Sequence, residues 1–286
     1  MPSLLDLRRR VKSVKNTRQI TKAMKMLSAA KLKRAQDAVV AARPFANKIT
    51  EVLGNLSGSV SDDFNHPLLD ARGDERYLLV LITADKGLCG GFNANLIKAA
   101  QGFVRENEGQ RVDLLPVGRK GRDFFRRRGF TLAAEYVGLT GKGRIEYKDA
   151  AEVAREVIHQ FTTDEKIDKV FLIYSEFKSV LSQKPVVEQL LPAPRPEAGD
   201  GGADYIYEQP PAEIFSKLLP QMVETRIFRA LLESVASEHG ARMTAMDSAT
   251  KNANDLINRL TLELNRKRQA AITKEIIEIV SGAAAM

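Results

Sequence analysis

The sequence predicts an α/β domain inserted between two long helices, which pair antiparallel as a coiled coil. Three observations predict it. Apolar residues near both ends recur in alternating steps of three and four, the spacing of a helix with one buried stripe. The middle of the chain alternates short apolar runs with helical patterns, the order of a layered α/β fold with a mainly parallel sheet. Both long helices join the middle domain, so they leave it side by side.

The first helix occupies 1–57. Ser3 is its expected N-cap. Its stripe runs through Leu4, Leu7, Val11 and Val14, then Ile20, Met24 and Leu27, then Phe45, Ile49, Val52 and Leu56. Pro44 is the one internal proline, at which a local bend is expected. A linker at 58–75 leads to the middle domain, 76–191. There Tyr77–Ile82 is a continuous apolar run of the kind seen in a strand buried on both faces. Asn93–Glu106 reads as a helix, Val112–Val117 as a strand and Lys120–Arg128 as a helix. Ala150–Phe161 is a further helix, Lys169–Tyr174 a strand and Val186–Leu190 an edge strand. The stretch 192–211, rich in Pro, Gly, Ala and Asp, is a second linker. The last helix takes 212–286, with no proline after Pro220 and a stripe at Met243, Met246, Ala249, Ala253, Leu256 and Leu260. Small residues at Ala23, Ala30, Ala38, Ala42, Ala245, Ala249 and Ala253 suit a close seam. The C-terminal helix is the longer of the two, so its apolar end from Ile276 projects alone and needs an enclosing partner.

Charge narrows the function. The chain carries a formal net charge of +8. Residues 1–57 hold thirteen Lys/Arg against three acids, an excess of ten cations on one helix. Such a helix calls for an acidic partner surface: nucleic acid, an anionic membrane or protein. A nucleic-acid-binding coiled coil is the alternative. The C-terminal segment offers no second basic arm, and the N-terminal one carries a single aromatic, Phe45, for base stacking. The one cysteine, Cys89, permits no internal disulfide and reads as a small buried hydrophobe in a reducing compartment. No run of eighteen apolar residues is present, so no membrane span is expected.

Catalytic signals are weak. The turn Lys86-Gly-Leu-Cys-Gly-Gly91 follows a strand and precedes a helix, where phosphate loops sit, but it lacks the Lys-Ser/Thr of such a loop and the dinucleotide spacing. A tight turn fits better than a nucleotide-dependent enzyme. His66, His159 and His239 have no ligand spacing, so no metal is expected. No cofactor is expected either. Arg119-Lys-Gly-Arg122 and Arg126-Arg-Arg128 read as a solvated basic face.

The C-terminal Ile272-Thr-Lys-Glu-Ile-Ile-Glu-Ile-Val-Ser-Gly-Ala-Ala-Ala285 resembles the signature of ATP synthase gamma subunits, with Thr273, Glu275, Glu278 and Gly282-Ala283 at its marked positions. Val14–Met24, Leu88–Asn93 and Ser237–Met246 are similar to the family as well. The resemblance implies a central rotor shaft that couples proton-driven rotation of a c-ring to conformational change in catalytic beta subunits, with no catalytic site of its own. It implies a Rossmann-like foot on the epsilon subunit and the c-ring, and a coiled coil inside a ring of alpha and beta subunits. Met24 and Arg242 would lie near the beta lever. Arg268, Gln269, Thr273, Glu275 and Glu278 would meet the surrounding ring, and Ile276, Ile279 and Val280 would form a bearing tip. Membrane association would come only through the complex, at the cytoplasmic face of a bacterial inner membrane, with no nucleic acid partner.

Overall fold

A computed structural model describes residues 3–59, 64, 66–164, 166–193 and 209–284. The second expected linker lies largely outside the described residues, as do residues 60–63 and 65 of the first and the end of the Gly-Ala tail. Nine elements follow in order: α1 (Leu4–Ser59), β1 (Arg76–Ile82), α2 (Phe92–Glu106), β2 (Arg111–Val117), α3 (Arg119–Arg126), α4 (Tyr147–Thr163), β3 (Lys169–Phe177), β4 (Gln183–Leu191) and α5 (Pro211–Ala284). The chain groups into two compact units, one of 1–28 with 243–286 and one of 29–242. The larger unit therefore extends beyond the expected middle domain at 76–191.

Within the larger unit the sheet has the order β2-β1-β3-β4. β1 pairs parallel with β2 and with β3, and β4 closes the edge antiparallel to β3. The sheet is mainly parallel, as expected. Its central strand explains the unbroken apolar run. Leu78, Val80 and Ile82 pack into one core with α4 and the helical stretches of α1 and α5 in this unit. Tyr77, Leu79 and Leu81 pack on the opposite face with α2 and Phe125 of α3. Both faces are covered, so alternation of polar and apolar residues vanishes.

β3 runs three residues past its expected end and β4 starts three residues early. The added residues are Ser175, Glu176 and Phe177 opposite Pro185, Lys184 and Gln183. Four of these six are polar, which hid the strand ends, because an edge pair needs no apolar face. α4 begins at Tyr147, where Glu146 and Asp149 form a capping box. Gly118 has φ 112, and a Cβ there would come within 2.1 Å of the Thr83 carbonyl oxygen, so only glycine fits where β2 meets α3.

In the smaller unit α1 and α5 run antiparallel. Arg18 donates to Asn254, the Thr250 hydroxyl donates to Thr21 and Lys25 pairs with Asp247. Facing residue numbers add to 271 or 272. Ser3 caps α1 as expected, its hydroxyl accepting from the Asp6 N–H at 3.1 Å.

Part of the expected seam is wrong. Ile20 and Leu27 are exposed (60% and 59%), as are Ala23, Ala30 and Leu256, and the inward positions are Thr21, Ser28 and Ile257. The stripe set by Leu4, Leu7, Val11 and Val14 continues in phase through Arg18, Thr21, Lys25 and Ser28. Ile20 lies about 200° round the helix from Arg18 at about 100° per residue. Hydrophobicity and helical phase part company here, and phase decides.

Candidate functional site

Three places carry the expected functional residues. The first is the outer surface of the paired helices. Leu5, Ile20, Met26 and Leu27 are large apolar side chains on α1, each more than half exposed. Among them stand Arg8, Arg9, Lys12, Lys15 and Lys22, which form no ion pair with any described residue. Met24 is half-buried in the same stretch. An exposed face that mixes apolar facets with unpaired cations has the composition of a contact surface for an acidic partner.

The second is the end of α5. The antiparallel register sets Leu4, the first residue of α1, level with residue 268 (272 − 4). Beyond that level α5 has no α1 residue beside it, yet it continues to Ala284. Arg268, Gln269, Thr273, Glu275 and Glu278 are all exposed, and Glu278 pairs with Lys274 at 3.5 Å, one turn back. Ile276, Ile279 and Val280 are exposed at 55%, 71% and 61%, with Ile272 and Ile277 beside them. These apolar side chains have no covering partner among the described residues.

The third lies in the larger unit and departs from expectation. Arg242 is buried. Its guanidinium pairs with Glu238 at 2.7 Å, meets His239 Nδ1 at 3.2 Å and donates to the Gly87 carbonyl at 3.1 Å. These contacts tie it to the Gly-rich turn, so in this arrangement it is a brace for that turn rather than a free surface contact. Burial pushes the Glu238 carboxyl up, and Arg242 does not fully offset it. Burial, with the charges of Arg242 and Lys31, holds His239 down at about 4, so it is neutral near pH 7. Cys89 is buried as expected, with its thiol pushed up by burial.

The sequence reading missed Asp85, which ties the end of β1 to the start of α3 and to the loop at 138–141. Asp85 lies just past β1 and is buried. Oδ1 accepts from the N–H groups of Arg119 (3.0 Å) and Gly138 (2.9 Å), and Oδ2 from Gly141 N–H (2.8 Å) and the Thr140 hydroxyl (3.0 Å). Burial opposes its ionisation, but these donors outweigh it and hold the carboxyl below the usual carboxylate range. Anions in an α/β fold sit on helix N-termini, and the first N–H of α3, the helix after β2, is already on this carboxylate of the chain itself. No local signal could reveal this, because the donors lie 34 to 56 residues away. The basic cluster after it is partly neutralised as well: Arg122 and Arg126 pair with Glu135, and Arg128 lies over the Phe124 ring at 3.6 Å.

These features define a class: a subunit built to be held and moved by partners, with its contact groups on helical surfaces. The comparisons agree. The ATP synthase family profile matches residues 3–286. The ATP synthase gamma chain of Solibacter usitatus is 56% identical over 100% of this chain and 99% of its own length. That of Pelotomaculum thermopropionicum is 53% identical over the whole of both chains. Among solved structures, a chain from the central stalk and c-ring of the Tetrahymena thermophila mitochondrial ATP synthase superposes with a TM-score of 0.60 at 27% identity, over 80% of this chain and 99% of that one. A chain of the Euglena gracilis mitochondrial enzyme gives 0.69 at 20% identity, over 99% and 94%, and shows the same fold. The chain belongs to the ATP synthase gamma chain family, and it is a non-catalytic stalk subunit.

Proposed function

We propose that this chain is the central rotor of a proton-translocating ATP synthase, turned by a c-ring and acting on the beta subunits of an alpha/beta ring. The observation that carries this reading is α5 beyond residue 268: a single helix with exposed Ile272, Ile276, Ile277, Ile279 and Val280 that no described residue covers. An enclosing apolar sleeve would cover it by packing rather than by directional bonds. Packing contacts change little with angle, which suits a shaft that must turn. Ile276, Ile279 and Val280 form the bearing tip in this reading. Met24, Arg268, Gln269, Thr273, Glu275 and Glu278 contact the ring, with the unpaired cations of α1 against acidic loops, and Arg242 holds the turn at Gly87 from within. The segments 1–57 and 212–286 form the shaft, and 76–191 is the foot, which meets epsilon and the c-ring.

No helix among the described residues is long and apolar enough to cross a membrane. The chain is part of a membrane-associated complex. Its place there is peripheral, at the cytoplasmic face of a bacterial inner membrane, with attachment only through its partners.

The test is direct. The chain, with a bead fixed to its 76–191 segment, is assembled with immobilised alpha and beta subunits and given ATP. One-way rotation of the bead is expected. Sustained ATP hydrolysis with a stationary bead would overturn the proposal.

A further inference from the structure

The larger unit has a groove of about 620 Å³ between α1, α5 and the loop that leads into α4. The size lies within the range of small-molecule sites. Ile145, Leu232 and Val235 are buried apolar side chains of its wall. The rest of the wall is cationic. Lys31 and Arg34 stand three residues apart on one face of α1, and Lys142 and Arg144 stand on the loop. Lys142 pairs with Asp149 at 2.5 Å, and Asp37, the acid on this wall, pairs with Lys33 at 3.0 Å. Lys31, Arg34 and Arg144 form no ion pair with any described residue. Glu238, which lies within reach of the Lys31 charge, is held by Arg242 at 2.7 Å.

A recessed donor makes this more than a basic patch. His239 is on the groove wall and is 5% exposed. Its Nδ1 lies 3.2 Å from Arg242 Nη1, a group that only donates. Nδ1 therefore accepts, and the proton of the neutral ring is on Nε2. No described residue accepts from Nε2. Nε2 is not sealed either, because Glu233 Oε2 is the one sealed side-chain polar atom without a partner among the described residues. A nearly buried N–H thus keeps an opening and lacks an acceptor. The charge of Lys31 acts on this ring, so the two groups are neighbours.

We infer that this groove is a binding site for a diphosphate anion, inorganic or carried on a nucleoside, whose oxygens meet Arg34, Arg144 and Lys31 and accept from His239 Nε2. The number and kind of donors select this chemistry. A single carboxylate matches one guanidinium and leaves the other cations unanswered. A diphosphate brings several oxygens and more than one charge in a compact body, and guanidinium forks fit phosphate oxygens in pairs. The carboxylates of an acidic peptide suit the exposed cations, but the recessed N–H of His239 is reached by a compact anion that enters the groove.

The probes are pyrophosphate, ADP, citrate and a tetraglutamate peptide, each titrated into the full-length chain by calorimetry. Nitrogen–proton NMR of the imidazole rings reports the place of binding. Pyrophosphate should shift the Nε2 signal of His239 and leave His66 and His159 unmoved. It should bind at least about tenfold more tightly than citrate, which carries similar charge. Arg34→Gln and Arg144→Gln should each weaken it about tenfold, the scale of hydrogen bonds from a charged group. Arg9→Gln with Lys12→Gln, on the smaller unit, should leave it unchanged. Both groove arginines are exposed, so their replacement should spare the fold, and circular dichroism checks it. ADP binding at least as tightly as pyrophosphate assigns the site to a nucleotide, and weaker ADP binding assigns it to the inorganic anion. An unmoved His239 signal at millimolar pyrophosphate, citrate or tetraglutamate binding as tightly, or an equal loss in the Arg9 and Lys12 variant would each overturn the assignment.

Discussion

Replacing Asp85 with asparagine tests whether an internal anion ties the start of α3 and the loop at 138–141 to the end of β1. The carboxylate takes four donors, two on each oxygen. An asparagine oxygen can serve Arg119 N–H and Gly138 N–H in place of Oδ1. Its NH₂ then faces Gly141 N–H, donor against donor, while the Thr140 hydroxyl can turn to accept. One buried N–H is left unmatched, at about 1–3 kcal/mol, and two bonds fall from charged to neutral, at about 1 kcal/mol each. The reverse orientation leaves two N–H groups unmatched. The expected loss is about 3–5 kcal/mol. Urea unfolding of the full chain measures it. All six tyrosines lie within 29–242 and tryptophan is absent, so tyrosine fluorescence follows the larger unit alone. The hydrogen bonds hold the folded Asp85 carboxyl below its ordinary value, although burial opposes this. Its contribution is therefore complete above the unfolded value near about 3.9 and lost as pH falls through the folded one, so the two proteins converge in acid. A loss under about 1 kcal/mol at pH 7, or a gap that does not narrow in acid, would refute the reasoning.

Three further outcomes are expected. His239, at about 4 when folded against about 6.5 unfolded, makes the chain less stable as pH falls between those values, because the unfolded state takes up the proton first. His239→Gln should flatten this slope, by at most about 3 kcal/mol across the window, and an unchanged slope in urea titrations would locate the acid sensitivity elsewhere. Deleting 279–286 removes only residues beyond the level of Leu4. The free chain should keep its melting temperature, while the assembled ring complex melts lower and turns over ATP more slowly; an unaltered complex would show that the tip bears nothing. Changing Lys12, Lys15, Lys22 and Lys25 together to Gln should weaken coupling or assembly in a salt-dependent way. Single changes should be mild, roughly 0–1 kcal/mol each, and full coupling of the fourfold variant at all ionic strengths would exclude an electrostatic role.

The sheet was legible because β1 is apolar on both faces, and α2 and α4 because their stripes are clean. The strand ends at Ser175–Phe177 and Gln183–Pro185 were not, since edge pairing is carried by backbone groups that any side chain permits. In α1 the stripe misled at Ile20 and Leu27. A residue that packs against a separate protein looks, in sequence, the same as one that packs within its chain. The exposed tip could be foreseen from helix lengths. Arg242 could not be placed, because nothing near it in sequence tells that Gly87 lies within reach of its guanidinium. Asp85 and Glu233 stayed hidden for related reasons: the donors around Asp85 are distant in sequence, and the orphaned oxygen of Glu233 is a property of packing alone.

The antiparallel register has a consequence for how such a chain can change over generations. Residues 18, 21 and 25 of α1 each meet a residue of α5 whose number completes 271 or 272. A single inserted residue in either helix turns everything beyond it by about 100° and lifts it by about 1.5 Å, so every later rung would meet the wrong partner. Only a gain or loss of about seven residues restores the facing stripe, and it must occur in both helices at the same level. Length differences among relatives should therefore collect in the stretches between helices and strands, while the two helices lengthen or shorten together or not at all.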